Sequence, residues 1–159
     1  MLIATRSGKI NISKEKDTRL VAERLSKLIN LGDFILLTGN LGVGKTTFTK
    51  YIINSLQRIN RQAISEVPSP TFNITNEYQI KKILIKHYDL YRIKNEKELN
   101  NLGIQENLKK QITLVEWPEM VKKLKNKNII SLIFKYNKNY TERYLTIISK
   151  NKKLINEFK

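Results

Sequence analysis

Residues 39–46 read Gly-Asn-Leu-Gly-Val-Gly-Lys-Thr, a complete G-x-x-x-x-G-K-[ST] phosphate loop. Gly39, Gly42 and Gly44 reach backbone angles that substituted residues resist, so successive N–H groups can turn inward around a phosphate chain. Lys45 stands at the start of the following helix. From there its charge reaches the β- and γ-phosphates and adds to the positive end of the helix dipole. The Thr46 hydroxyl suits an Mg²⁺ ion bridging those phosphates, and Thr47 can donate toward the α-phosphate side. A turn that merely joins strand to helix has no need of a lysine followed by two threonines.

The loop depends on its flanks. The apolar run Phe34 to Thr38 precedes it and the helix-compatible stretch Thr46 to Gln57 follows it, which is the strand, loop and helix order the motif requires.

A phosphate loop binds nucleotide, whereas hydrolysis also needs an acid at the end of a neighbouring strand to hold Mg²⁺ or orient water. Two acids qualify. Glu116 follows the apolar residues Ile112, Leu114 and Val115, and Asp89 follows the run Ile83 to Tyr88. Either acid could instead be a surface carboxylate or a turn cap. His87, the single histidine, shares a strand face with Asp89, and no second histidine exists to build a metal site. Trp117, next to Glu116, is suited either to the core or to packing on a ligand. The segment Pro68-Ser-Pro-Thr-Phe72 lies where switch segments of phosphate-loop proteins commonly lie, so Ser69 and Thr71 are placed to reach a γ-phosphate or its metal. An ordinary rigid turn is the alternative.

The length of 159 residues fits one domain spanning residues 1–159. No apolar run approaches the roughly 20 residues that span a bilayer, and the N-terminus lacks the long apolar region of a secretory signal. Without cysteine there is neither a disulfide framework nor a thiolate metal site, and the expectation is a soluble, cytoplasmic protein. The formal charge is +16. Its lysines are spread along the chain without a dense basic block interleaved with aromatics, and Lys122 to Lys127 reads equally as a solvated helix end. The charge therefore permits a polyanionic partner and decides nothing alone.

Val21, Leu25, Leu28 and Ile29 recur at helical spacing, predicting an amphipathic helix over about 16–30 that ends at Gly32. Phe72 to Tyr78 and Ile83 to Tyr88 read as a hairpin through 79–82, and a short helix is expected around 96–101. Ile112 to Val115 reads as a buried strand, with a short helix from Pro118 toward Leu124. Ile129 to Phe134 and Arg143 to Ile148 form a second hairpin, and residues 151–159 are expected to fray.

GNLGVGKTTF, SPTF, HYDLYR and LVEWPE, in this order, resemble the bacterial TsaE (YjeE) family, the ATPase of tRNA threonylcarbamoyladenosine biosynthesis. The resemblance covers nearly the whole chain. It implies an α/β, phosphate-loop NTPase-like, three-layer fold with a central, mostly parallel sheet and flanking helices. It also implies ATP and Mg²⁺ as cofactors, slow hydrolysis by the isolated protein, and TsaB and TsaD as partners in modifying adenosine 37 of tRNA, which is reached indirectly through the complex. By the same resemblance Gly42, Val43, Gly44, Lys45, Thr46 and Thr47 contact phosphate, and Thr46 with Glu116 holds the metal. Lys45, Asp89 and Glu116 are the catalytic set, while Ser69 and Thr71 form the switch segment. Trp117 matches the tryptophan beside the metal-site acid, and Thr18 matches a threonine near the nucleotide. Asn40 stands where the family usually has an acid, and Val43 where it has alanine.

Two other classes use such a loop. A small-molecule or nucleoside kinase usually carries an arginine-rich lid, and here the arginines are scattered, with Arg92 the best placed. A regulatory GTPase usually carries Asn-Lys-x-Asp, and Asn137-Lys-Asn-Tyr140 lacks the aspartate.

Overall fold

The structure, a computed structural model, describes residues 4–121 and 128–159. Strand β3 (Phe34–Thr38) explains the architecture: all of Phe34, Ile35, Leu36 and Leu37 are buried. Ile35 and Leu37 enter one apolar cluster and Phe34 and Leu36 another, so both faces of this strand are covered. It lies between β6 (Gln111–Glu116) and β7 (Ile129–Tyr136), parallel to both. Beyond β6, strand β5 (Ile83–Asp89) is again parallel, and β4 (Thr75–Ile80) pairs antiparallel with it at the edge. On the other side β8 (Arg143–Ser149) runs antiparallel to β7 and carries the short strands β1 (Thr5–Arg6) and β2 (Ile10–Asn11). The result is one eight-stranded sheet whose centre is parallel and whose flanks are antiparallel.

One face is covered by α1 (Glu15–Ser26) and α2 (Lys45–Ile59). Phe48, Ile52, Ile53 and Leu56 recur along the inner side of α2, and Ala22 and Leu25 face it from α1. A buried hydrogen bond of 2.6 Å from Ser26 Oγ to Ser55 Oγ ties the two helices where their backbones are close. The opposite face is covered by α3 (Glu96–Asn101) and its flanking turns, through Leu99, Ile104 and Val121. The three-layer α/β fold is the one expected of a phosphate-loop protein.

Several boundaries differ from the sequence expectation. Helix α1 stops at Ser26, and Leu28 and Ile29 reach the core from a tightening turn in which both N–H groups donate to Leu25 O. Their spacing is helical because the turn is still winding. The first hairpin begins at Thr75, after Ile74 takes a left-handed φ of 63°, and it turns on Lys81 and Lys82 alone. Residues Pro118–Met120 form a short 3-10 turn, and the rest of the helix expected toward Leu124 lies outside the described residues.

The C-terminal residues do not fray. Residues Lys152–Asn156 form α4, capped by the Asn151 side chain accepting from Leu154 N at 3.1 Å. Leu154, Ile155 and Phe158 are buried in the main core, and this apolar triplet anchors the end of the chain. Leu154→Ala therefore costs about 2–5 kcal/mol, as for other core truncations. Urea denaturation checks this, and an unchanged midpoint would mean that α4 is not docked.

Candidate nucleotide-binding site

The parallel register between β5 and β6 sets Asp89 directly beside Glu116, on the face shared with Ile85 and Ile112. Both acids stand where their strands leave the sheet, and the phosphate loop leaves β3 at the same edge. In a parallel sheet the strands point the same way, so residues far apart in sequence emerge together at one rim. Gly42, Gly44, Lys45, Thr46, Thr47, Ser69, Thr71, Asp89, Glu116 and Trp117 all line one cleft of about 330 Å³.

Two glycines of the loop are required for different reasons. At Gly44, the residue that starts α2, φ is 109°, a left-handed value that side-chain-bearing residues rarely adopt. At Gly39 a β-carbon would lie 2.9 Å from the carbonyl oxygen of Phe134, so β7 can pass only because no side chain is there. The Tyr136 hydroxyl donates to Gly42 O at 3.1 Å, bracing the loop from β7. The Arg143 guanidinium passes close beside Gly44 and donates to Ser13 O at 2.9 Å.

Lys45 Nζ donates to the carbonyls of Gly39 at 2.6 Å and Asn40 at 3.0 Å. It lies 4.0 Å from the centre of the Trp117 ring. Burial pulls the Lys45 pKa below the ordinary lysine value, while Glu116, Asp89 and Glu119 oppose that shift. The amine is thus held over the cleft by carbonyls and an aromatic face, and among the described residues no carboxylate forms an ion pair with it.

Thr46 Oγ1 donates to Glu116 Oε2 at 3.0 Å, and the other carboxylate oxygen accepts from His87 Nε2 at 2.8 Å. His87 is fully buried. It fixes the orientation of Glu116, so that one oxygen remains with Thr46. Ser69 Oγ donates to Asp89 Oδ2 at 3.1 Å and lies 2.8 Å from Thr71 Oγ1, while Tyr91 N donates to Asp89 Oδ1 at 3.0 Å. The Pro68–Phe72 segment is therefore tied to Asp89 through its two hydroxyls. Trp117 adopts a left-handed φ of 56°, a conformation costing a non-glycine residue about 1–2 kcal/mol. That backbone turn sends Glu116 and Trp117 into the same cleft.

Two expected residues have other surroundings. Thr18 is buried at the start of α1, where its hydroxyl donates to Ile12 O at 3.0 Å, and it does not line the cleft. Val43 buries its side chain in the core, and its N–H donates within the loop to Asn40 O at 3.2 Å. Leu41, Tyr91 and Arg92 line the cleft in addition. Tyr91 packs on Trp117 with ring centres 4.9 Å apart. Its place immediately after the Asp89 strand end was the available signal. Nothing in sequence ties Tyr136 to the loop it braces.

The family profile described as threonylcarbamoyl adenosine biosynthesis protein TsaE matches residues 12–145. The chain belongs to the TsaE family. Among TsaE relatives, the tRNA threonylcarbamoyladenosine biosynthesis protein TsaE of Rickettsia conorii is 34% identical over 148 residues, 84% of this chain and 82% of that protein. The TsaE protein of Bacillus subtilis is 34% identical, over 76% of this chain and 72% of its own. The crystal structure of Bacillus subtilis YdiB superposes with a TM-score of 0.70, covering 98% of this chain and 93% of that chain at 24% identity, which establishes the same fold. The matched TsaE span contains the whole phosphate loop, Asp89, Glu116 and Trp117. Among the described residues no helix is long and apolar enough to cross a membrane.

Proposed function

We propose that the chain is an Mg²⁺-dependent ATPase of tRNA threonylcarbamoyladenosine biosynthesis. It acts in the cytoplasm as an assembly or reset factor with TsaB and TsaD, meeting tRNA through that complex. The observation that carries this reading is the convergence of Lys45, Thr46, Asp89 and Glu116 on one cleft, in a chain of the TsaE family.

The donor chemistry suits Mg²⁺. Thr46 Oγ1 and Glu116 Oε2 are hard oxygen donors already 3.0 Å apart. No group of three or more His, Cys, Asp or Glu side chains among the described residues could cage a metal. Mg²⁺ typically takes one or two protein oxygens and completes its shell with water and phosphate. Thr46 and Glu116 would hold it, and its chemistry there is to neutralise charge on the β- and γ-phosphates.

The chain's own groups account for the rest. Backbone N–H groups of the loop and Lys45 hold the phosphates in place, and Trp117 with Tyr91 shields one side of the cleft. Asp89 is placed to orient the attacking water. Asp89→Asn keeps the acceptor for Tyr91 N and its side-chain volume, so ATP affinity stays within about 3-fold. Turnover falls roughly 100-fold or more, the usual scale for a positioned base. Calorimetry and phosphate release measure the two separately, and an equal loss in both would remove Asp89 from the chemical step.

Two experiments test the function. Mixed with TsaB and TsaD, the protein should form a complex whose stability differs between ATP and ADP, and failure to associate with either nucleotide would count against the reading. Product analysis separates the ATPase from a small-molecule kinase, since a kinase yields a phosphorylated metabolite in place of free phosphate.

A further inference from the structure

The cleft holds a second cation besides Lys45. Arg92 lines it, three residues beyond the end of β5, and no carboxylate among the described residues pairs with its guanidinium. Its centre lies 5.1 Å from the centre of the Phe72 ring. Phe72 is 85% exposed, and it follows Thr71, which is linked through Ser69 to Asp89. A cation resting on an exposed ring is weakly held and leaves readily when a stronger anion arrives.

We infer that Arg92 is a catalytic arginine in cis, resting on Phe72 and moving to the γ-phosphate when triphosphate fills the cleft. The inference rests on the ATPase reading above. Lys45 lies at the phosphate-loop side of the cleft. Arg92 shares its short loop with Tyr91, whose N–H is bound to Asp89, so its charge belongs to the side from which the water is oriented. In the reaction the water oxygen bonds to the γ-phosphorus as the bond from that phosphorus to the β,γ-bridging oxygen breaks. The electron pair stays with ADP, and the protons of the water end on inorganic phosphate and in solvent. Negative charge shifts onto the bridging and equatorial oxygens during this step, where a planar, multidentate guanidinium is most effective. The same move frees Phe72, so the Pro68–Phe72 segment changes its contacts when triphosphate is bound.

The test compares wild type, Arg92→Ala, Arg92→Lys and Phe72→Ala. It measures ADP and ADP–aluminium fluoride affinity by calorimetry, and phosphate release with and without added guanidinium ion. Arg92→Ala should lower turnover roughly 100-fold or more, leave ADP affinity within about 2-fold, and lose the tighter binding of ADP–aluminium fluoride. Added guanidinium ion should restore part of the Arg92→Ala rate, and Arg92→Lys should recover little because an ammonium lacks the fork. Phe72→Ala should keep turnover at or above that of wild type. Turnover of Arg92→Ala within about 3-fold of wild type, or an equal loss of ADP and ADP–aluminium fluoride affinity, overturns the catalytic role. A fall in Phe72→Ala as deep as in Arg92→Ala overturns the resting place on Phe72. If the wild-type protein itself binds adenine nucleotides but releases no phosphate, alone or with TsaB and TsaD, the ATPase reading fails instead.

Discussion

Lys45→Ala weakens ATP binding by about 30-fold to a few thousand-fold, a loss of about 2–5 kcal/mol. The magnitude follows from where the amine sits. Lys45 is 5% exposed, and its partners among the described residues are the Gly39 and Asn40 carbonyls and the Trp117 face. Those contacts are modest, and burial already works against the charged amine, so removing the side chain changes folding stability by no more than about 1 kcal/mol. Phosphate oxygens make a much stronger partner, because both groups are charged and the hydrogen bonds between them are charge-assisted. The chain has one tryptophan, so its emission reports the event. Adding ATP to wild type should alter Trp117 fluorescence as the amine moves from the ring to phosphate, and Lys45→Ala should lose that component. An unchanged dissociation constant in calorimetry would place the polyphosphate elsewhere.

Glu116→Ala has a double effect. Glu116 is 2% exposed and joins Thr46 to His87. Truncating it leaves a cavity and strips both neighbours of a buried partner, costing about 2–4 kcal/mol of stability. The same change removes the proposed metal oxygen, so ATP binding loses its dependence on Mg²⁺. Glu116→Gln separates the two, because an amide of the same shape keeps hydrogen-bonding capacity toward Thr46 and His87 while it lacks the anionic charge. Its thermal midpoint should therefore lie close to wild type while the Mg²⁺ dependence of ATP affinity is largely gone. Should Glu116→Gln bind Mg²⁺-ATP as wild type does, Glu116 is a structural carboxylate and the metal is held by other groups.

The difference between these two residues also shows what was legible in the chain. Lys45 belongs to a contiguous motif whose geometry is set by its own glycines and by the helix that follows, so local chemistry suffices to place it. Glu116 and Asp89 were recognisable as strand-end acids after apolar runs. Their adjacency, however, is a consequence of the β5–β6 register, which no short stretch of sequence encodes. The fold class came from the family resemblance those motifs carry, and the structure supplied its physical reason by burying both faces of the Phe34–Leu37 run at the centre of the sheet.

Residues whose roles depend on distant neighbours were not legible. His87 could be placed on the Asp89 face, but its hydrogen bond is made across the strand gap to Glu116. Tyr136 braces a loop 94 positions away. Thr18 is turned to the Ile12 carbonyl by the way α1 begins. The α4 anchor read as a frayed tail because three apolar residues carry little periodic signal until the surface that receives them exists.

The sequence by itself determined the phosphate loop, the strand and helix that hold it, the two acids and the family to which they belong. All of these rest on interactions within a few residues, where backbone freedom, charge and periodicity act directly. Tertiary structure alone decided that Asp89 and Glu116 stand side by side, that His87 aims one of them, and that Arg92 rests on Phe72 at the mouth of the same cleft. Such contacts join segments that approach one another only after the sheet has set its register.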